Sequence, residues 1–210
     1  MKLVIVGAGG FAKEIAFLAS RIPDCEVIGF VDDNFDKLPD RVLDKPVLGN
    51  VDILLSYQSQ TNIAIGIANP FIKRKILNKL RPNSNLVFPN LVDPSALLGI
   101  QVELGMGNIL MANTTYTADI TIGNFNMINI GSTIGHDSTI GNFNAIYPNA
   151  NISGDVRIGE YNEIGTGAKV IQGLSIGNQN IIGAGAVVIR NIKNRTKNVG
   201  VPTKIIESWD

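Results

Sequence analysis

The chain has 210 residues, 18 basic and 18 acidic side chains, a formal charge of zero, and a single histidine, cysteine and tryptophan. That scarcity excludes a zinc site assembled from several His or Cys ligands within one chain, and it excludes an internal disulfide. With 17% charged residues there is no basic field to draw nucleic acid or an acidic membrane surface, so the expected partners are small molecules or further copies of the chain.

Met1-Lys2 is followed by only a short apolar stretch, and no run approaches the roughly 20 apolar residues of a membrane helix. The sequence therefore predicts a cytoplasmic protein without membrane insertion, with Cys25 a reduced thiol. Leu3-Val4-Ile5-Val6 predicts a strand buried on both faces, followed by the turn Gly7-Ala8-Gly9-Gly10 and a helix from Phe11 to about Ser20. Val27 to Val31 predicts a second strand, ending at Asp32-Asp33-Asn34, and Asn62 to Ile67 a further one. Asn69-Pro70 supplies an N-cap and a proline at the first position of the next helix. Residues 1–88 thus read as a Rossmann-like β-α-β domain with a mainly parallel sheet. Gly9, Gly10 and Phe11 open a helix whose first amides can meet a phosphate, and Asp32 and Asp33 end the next strand where they could reach a base or ribose. Gly7, Gly9 and Ala12 with Asp32 also fit a dinucleotide fingerprint, but too few strands remain before the second half to complete a dinucleotide fold.

In residues 89–210 the period changes. Every sixth position from Leu98 to Val188 is Ile, Leu or Val in fifteen of sixteen cases, Tyr116 being the exception. Chance gives such a register with probability on the order of 10⁻⁷, so this is a true hexapeptide repeat. Six residues suit short strands meeting at corners, three to a turn, with each aliphatic side chain stacked on the one 18 residues later. Glycine often follows the aliphatic residue, where a corner is expected to need a small one. The register runs without insertion, so any site must lie on the faces, at the ends, or between chains.

The repeat, closed by Asn198-Val199-Gly200-Val201-Pro202-Thr203-Lys204, resembles the left-handed parallel β-helix acyltransferases. Val6-Gly7-Ala8-Gly9-Gly10-Phe11-Ala12-Lys13-Glu14, Gly29-Phe30-Val31-Asp32-Asp33 and Ile134-Gly135-His136-Asp137 narrow the resemblance to the PglD-like sugar O- and N-acyltransferases. That resemblance implies a homotrimer with acetyl-coenzyme A bound between neighbouring helices, and a nucleotide-linked amino-dideoxysugar, such as a UDP-4-amino-4,6-dideoxy-sugar, as acceptor. It assigns His136 as general base and Asp137 as its supporting acid, and it places Asn129 opposite the reacting nitrogen. It carries coenzyme A contacts to Ala145, Thr166 and Ala184, and a substrate contact to Gly66. Phe11 departs from the family, many of whose members carry histidine there. The chemistry agrees: an amine attacking a thioester must lose a proton, and imidazole is the natural base near neutral pH. The alternatives are O-acetylation of a sugar such as sialic acid and a non-catalytic nucleotide-sugar-binding solenoid. A zinc enzyme on the same helix needs more histidines than this chain has.

Overall fold

A computed structural model describes residues 1–210, which form two compact units, Met1–Leu91 and Val92–Asp210. In the first, β1 (Lys2–Val6), α1 (Gly10–Arg21), β2 (Glu26–Val31), β3 (Arg41–Val42), β4 (Lys45–Gly49), β5 (Thr61–Ile65), α2 (Pro70–Leu80) and β6 (Leu86–Val87) follow in chain order. They build a Rossmann-like sheet of order β3-β4-β2-β1-β5-β6, parallel except where β3 meets β4. β1 holds the centre because its apolar run is closed off on both faces, with Leu3, Val4 and Ile5 fully buried. The Asn69 side chain accepts from the Phe71 and Ile72 amides at 3.1 and 3.0 Å, which is why α2 starts where it does. The chain leaves β1 for β2 on one side and returns to β5 on the other. The carboxyl ends of β1 and β5 are therefore a topological switch point, where open α/β sheets bind ligands.

The second unit is a left-handed parallel β-helix. Its two-residue strands pair with those 18 residues on, as Met127–Ile128 with Ala145–Ile146, Thr133–Ile134 with Asn151–Ile152, and Thr139–Ile140 with Arg157–Ile158. The aliphatic row lies inside, Ile128, Ile134, Ile146 and Ile164 being fully buried. Leu98, in the first coil with no coil beneath it, remains 42% exposed. A second row fills the interior of the corners: Asn126, Asn144, Asn162 and Asn180 each donate through Nδ2 to the Asn Oδ1 one coil earlier at 3.0–3.1 Å. Phe125, Phe143 and Tyr161 stack beside them at 5.4 and 5.3 Å.

The corners correct one expectation. A left-handed residue recurs every six positions from Asn113 to Gly185, with φ between 51° and 75°, but it falls three places after the aliphatic residue. The glycine immediately after the aliphatic residue has an ordinary φ, and it is small because of the next coil. A Cβ on Gly141, for instance, would stand 2.6 Å from the Gly159 carbonyl oxygen. No helix is long and apolar enough to cross a membrane.

Candidate active site

The turns of the β-helix stack along three edges. One edge carries residues 135–138 and, one coil later, 153–156. There His136 Nδ1 lies 2.7 Å from Asp137 Oδ2, with both side chains more than half exposed, at 53% and 60%. Asp137 occupies the left-handed place, φ 59°, and Asp119 and Asp155 occupy the same place in the flanking coils with φ 53° and 51°. Neither of those follows a histidine, so aspartate here first serves the corner, where short polar side chains tolerate positive φ. What distinguishes Asp137 is the imidazole it reaches. With Nδ1–H donating to the carboxylate, the Nε2 lone pair is left to accept a proton.

The imidazole lies over Gly154, 18 residues later and one coil on. A Cβ at Gly154 would fall 2.4 Å from Nε2 and 2.6 Å from Cε1. The Gly154 amide finds no acceptor in the chain, while its carbonyl accepts from Gly173 at 3.1 Å. Sequence reasoning did not single out Gly154. Counting one coil forward from the only histidine would have reached it.

Asn129 is 4% exposed and stands outside the Asn ladder, whose members lie at 108, 126, 144, 162 and 180. Its Oδ1 accepts from the Ile130 amide at 2.6 Å. It sits on a different edge from His136, the edge of residues 129–132, 147–150, 165–168 and 183–186. Thr166 and Ala184 share that edge and are exposed, stacked one on the other through the Gly185 amide and the Thr166 carbonyl at 2.8 Å. Also on it, the Tyr147 hydroxyl donates to Glu163 Oε2 at 2.9 Å; burial, then the Glu163 charge, push that phenol upward. Ala145 is fully buried with its amide paired to the Asn162 carbonyl at 2.8 Å, so its side chain only fills space within the chain. One chain therefore brings His136, Asp137 and Gly154 together and leaves Asn129, Thr166 and Ala184 on the neighbouring edge.

In the first unit, a cavity of about 280 Å³ at the carboxyl ends of the strands is lined by Gly7, Asp32, Asp33 and Asn34, with apolar walls from Ile67 and Ile72. Asp32 Oδ2 accepts from the Ala8 amide at 2.9 Å and Oδ1 from Asn34 at 2.8 Å, which ties the glycine turn to the end of β2. Asp33 Oδ1 accepts from the Val51 amide at 3.1 Å and faces Lys79 Nζ at 3.8 Å. Both carboxylates thus already brace the cavity walls. Gly9, the N-cap of α1, offers no side chain to the first amides, and no acid lies in the first turn. A Cβ on Gly9 or Gly10 would meet nothing within 4 Å, so the positive end of α1 beside Phe11 is bare for reasons other than packing. Gly66 differs: a Cβ there would lie 2.8 Å from Ala12, so it is small to let α1 approach the sheet.

The PglD N-terminal domain family matches residues 2–80. No curated protein matches the chain. Among solved structures, the chain is similar over 98% of its length to the acetyltransferase domain of PglB from Neisseria gonorrhoeae, at 31% identity and a TM-score of 0.90, covering 99% of that chain. The same domain has been solved with acetyl coenzyme A. PerB from Caulobacter crescentus, solved with CoA and GDP-perosamine, is 30% identical with a TM-score of 0.87, over 99% of this chain and 98% of that one. WeeI from Acinetobacter baumannii is 28% identical with a TM-score of 0.88, over 98% of this chain and all of that one, 100%.

Proposed function

This chain belongs to the PglD-like family of hexapeptide-repeat acyltransferases, and from that premise we propose that it is an acetyl-CoA-dependent N-acetyltransferase acting on a nucleotide-linked amino-dideoxysugar. The observation that carries the reading is the 2.7 Å pair between the chain's only imidazole and Asp137. It stands in a chain similar end to end to a perosamine-binding enzyme and an acetyltransferase domain.

In the proposed reaction the neutral sugar amine attacks the thioester carbonyl carbon and gives up a proton to His136 Nε2. Asp137 holds the ring through Nδ1–H and faces the charge the ring acquires. The carbonyl oxygen becomes an oxyanion, for which the unpaired Gly154 amide beside the ring is the available donor; one such donor is worth about 3 kcal/mol. Collapse breaks the carbon–sulfur bond, and the proton on His136 passes to the departing thiolate, leaving the amide and free coenzyme A. Attack on the thioester is direct in this scheme, so no cysteinyl thioester on Cys25 enters it.

A chain without net charge must hold anionic ligands by local donors. For the nucleotide these are the bare amides at Gly9, Gly10 and Phe11, with Asp32, Asp33 and the packing of Gly66 shaping the cavity beside them. For coenzyme A they are the exposed Thr166 and Ala184, with Ala145 as the buried wall behind and Asn129 on the same edge. Because that edge is not the edge of His136, a complete centre requires a second copy, and the proposed assembly is a homotrimer with three equivalent interfacial sites.

The test is to incubate the purified protein with acetyl-CoA and 4-amino-sugars linked to UDP, GDP or dTDP, following thiol release and the amide product. At least one should react well above background hydrolysis. Thiol release with sialic acid and with none of the amines would replace this reading by O-acetylation, and sedimentation as a stable monomer at micromolar concentration would contradict the shared centre.

A further inference from the structure

The second residue after each aliphatic position, read from Asn124 to Arg190, is Asn, Ile, His, Asn, Pro, Gly, Glu, Thr, Gln, Asn, Ala and Arg. Glycine appears once among these twelve, at Gly154, in the coil that lies against the His136 ring. Its backbone does not require glycine, for its φ is not in the left-handed range. Nor does the coil packing: the three atoms nearest a Cβ built there are Nε2, Cε1 and Cδ2 of His136, at 2.4, 2.6 and 2.9 Å, whereas Gly135 and Gly141 face backbone. The space left by the missing side chain is filled by the imidazole itself.

We infer that Gly154 is a positioning residue. It is a flat seat that fixes the His136 ring in the orientation that points Nδ1 at Asp137 and Nε2 away from it. This rests on the proposed base role of His136, but it concerns what the ring needs, and it is separate from any use of the Gly154 amide. An alanine keeps the amide and changes only the seat. Since the atoms it would strike are the outer end of a half-exposed side chain, the ring can swing into solvent, and the fold has no reason to weaken.

The experiment compares wild type, Gly154→Ala, Asp137→Asn and His136→Ala. With one histidine in the chain, the imidazole ¹⁵N and ¹³Cε1–¹H signals are assigned without ambiguity. In wild type the ¹⁵N shifts should report Nδ1–H and unprotonated Nε2 at mildly alkaline pH. Gly154→Ala should keep its melting temperature within about 2 °C and its KM for acetyl-CoA within threefold, lose at least 30-fold in kcat, and show the imidazole as a mixture of tautomers. Retention of more than half the wild-type kcat, or a loss of kcat with an unchanged imidazole spectrum, would overturn the seat. If His136→Ala retains full activity, the base assignment fails instead, and the spectrum of Gly154→Ala still decides whether the glycine positions the ring.

Discussion

Asp137→Gly separates the two things this residue does. As a corner residue Asp137 sits at φ 59°, which costs an ordinary L-residue about 1–2 kcal/mol and glycine nothing. Glycine's extra freedom in the unfolded chain returns about 0.4–1 kcal/mol of that. The lost contact to His136 involves two side chains 53% and 60% exposed, so it is worth at most about 1 kcal/mol. These terms nearly cancel, and stability should change by less than about 1 kcal/mol, a shift of roughly 2–4 °C for a chain of this size. The imidazole, however, loses the acceptor that selects its tautomer and steadies its charge. Because water reaches this pair and can partly replace the carboxylate, kcat should fall by about 10–100-fold, or about 1.4–2.7 kcal/mol. The assay pairs thermal denaturation with initial rates, using Asp119→Gly as control, since it changes the same corner position at φ 53° one coil away. Asp119→Gly should leave kcat untouched. Equal activity in Asp137→Gly and wild type, or equal loss in both variants, would refute the reasoning.

Asn144→Ala should destabilise the β-helix by about 2–6 kcal/mol in chemical denaturation. It leaves the Asn162 amide and the Gly159 carbonyl, now bonded at 2.9 Å each, with no partner, at about 1–3 kcal/mol per group; a loss below 1 kcal/mol would show the ladder to be dispensable. Burial lowers Lys73 to about 7, so between that pH and the usual lysine range the unfolded chain binds more protons than the folded one. Stability should therefore rise with pH above about 7, and Lys73→Met should flatten that rise, as measured by denaturation midpoints from pH 6 to 9.

The β-helix was legible because its physical constraint is periodic: an inward aliphatic every six residues leaves a register that needs no alignment to see. The start of α2 was legible in Asn69-Pro70 for the same kind of reason, a cap that works locally. The hairpin of β3 and β4 was not, since its turn places Leu43 and Asp44 in the left-handed region at φ 48° and 58° without glycine or asparagine to announce it. Among site residues, His136 and Asp137 stood out by rarity and adjacency. Gly154 did not, because its partner lies one coil away and its meaning is the absence of a side chain. The Asn-rich composition was visible in the sequence. Which asparagines form the buried ladder, and that Asn129 is not one of them, depends on which side of each corner a residue faces. Thr166 and Ala184 stand one coil apart, each two places after an aliphatic residue, and both reach the surface, whereas Ala145 immediately precedes the inward Ile146 and is fully buried.

The most direct measurement is acetyl transfer to a nucleotide-linked 4-amino-sugar by His136→Ala, with oligomeric state and melting temperature recorded alongside. Removing the only imidazole should lower kcat by about 10²–10⁴-fold, the usual contribution of a general base, while assembly and stability stay as in wild type. A variant that transfers acetyl groups within threefold of the wild-type rate would contradict the assignment of His136 as the base.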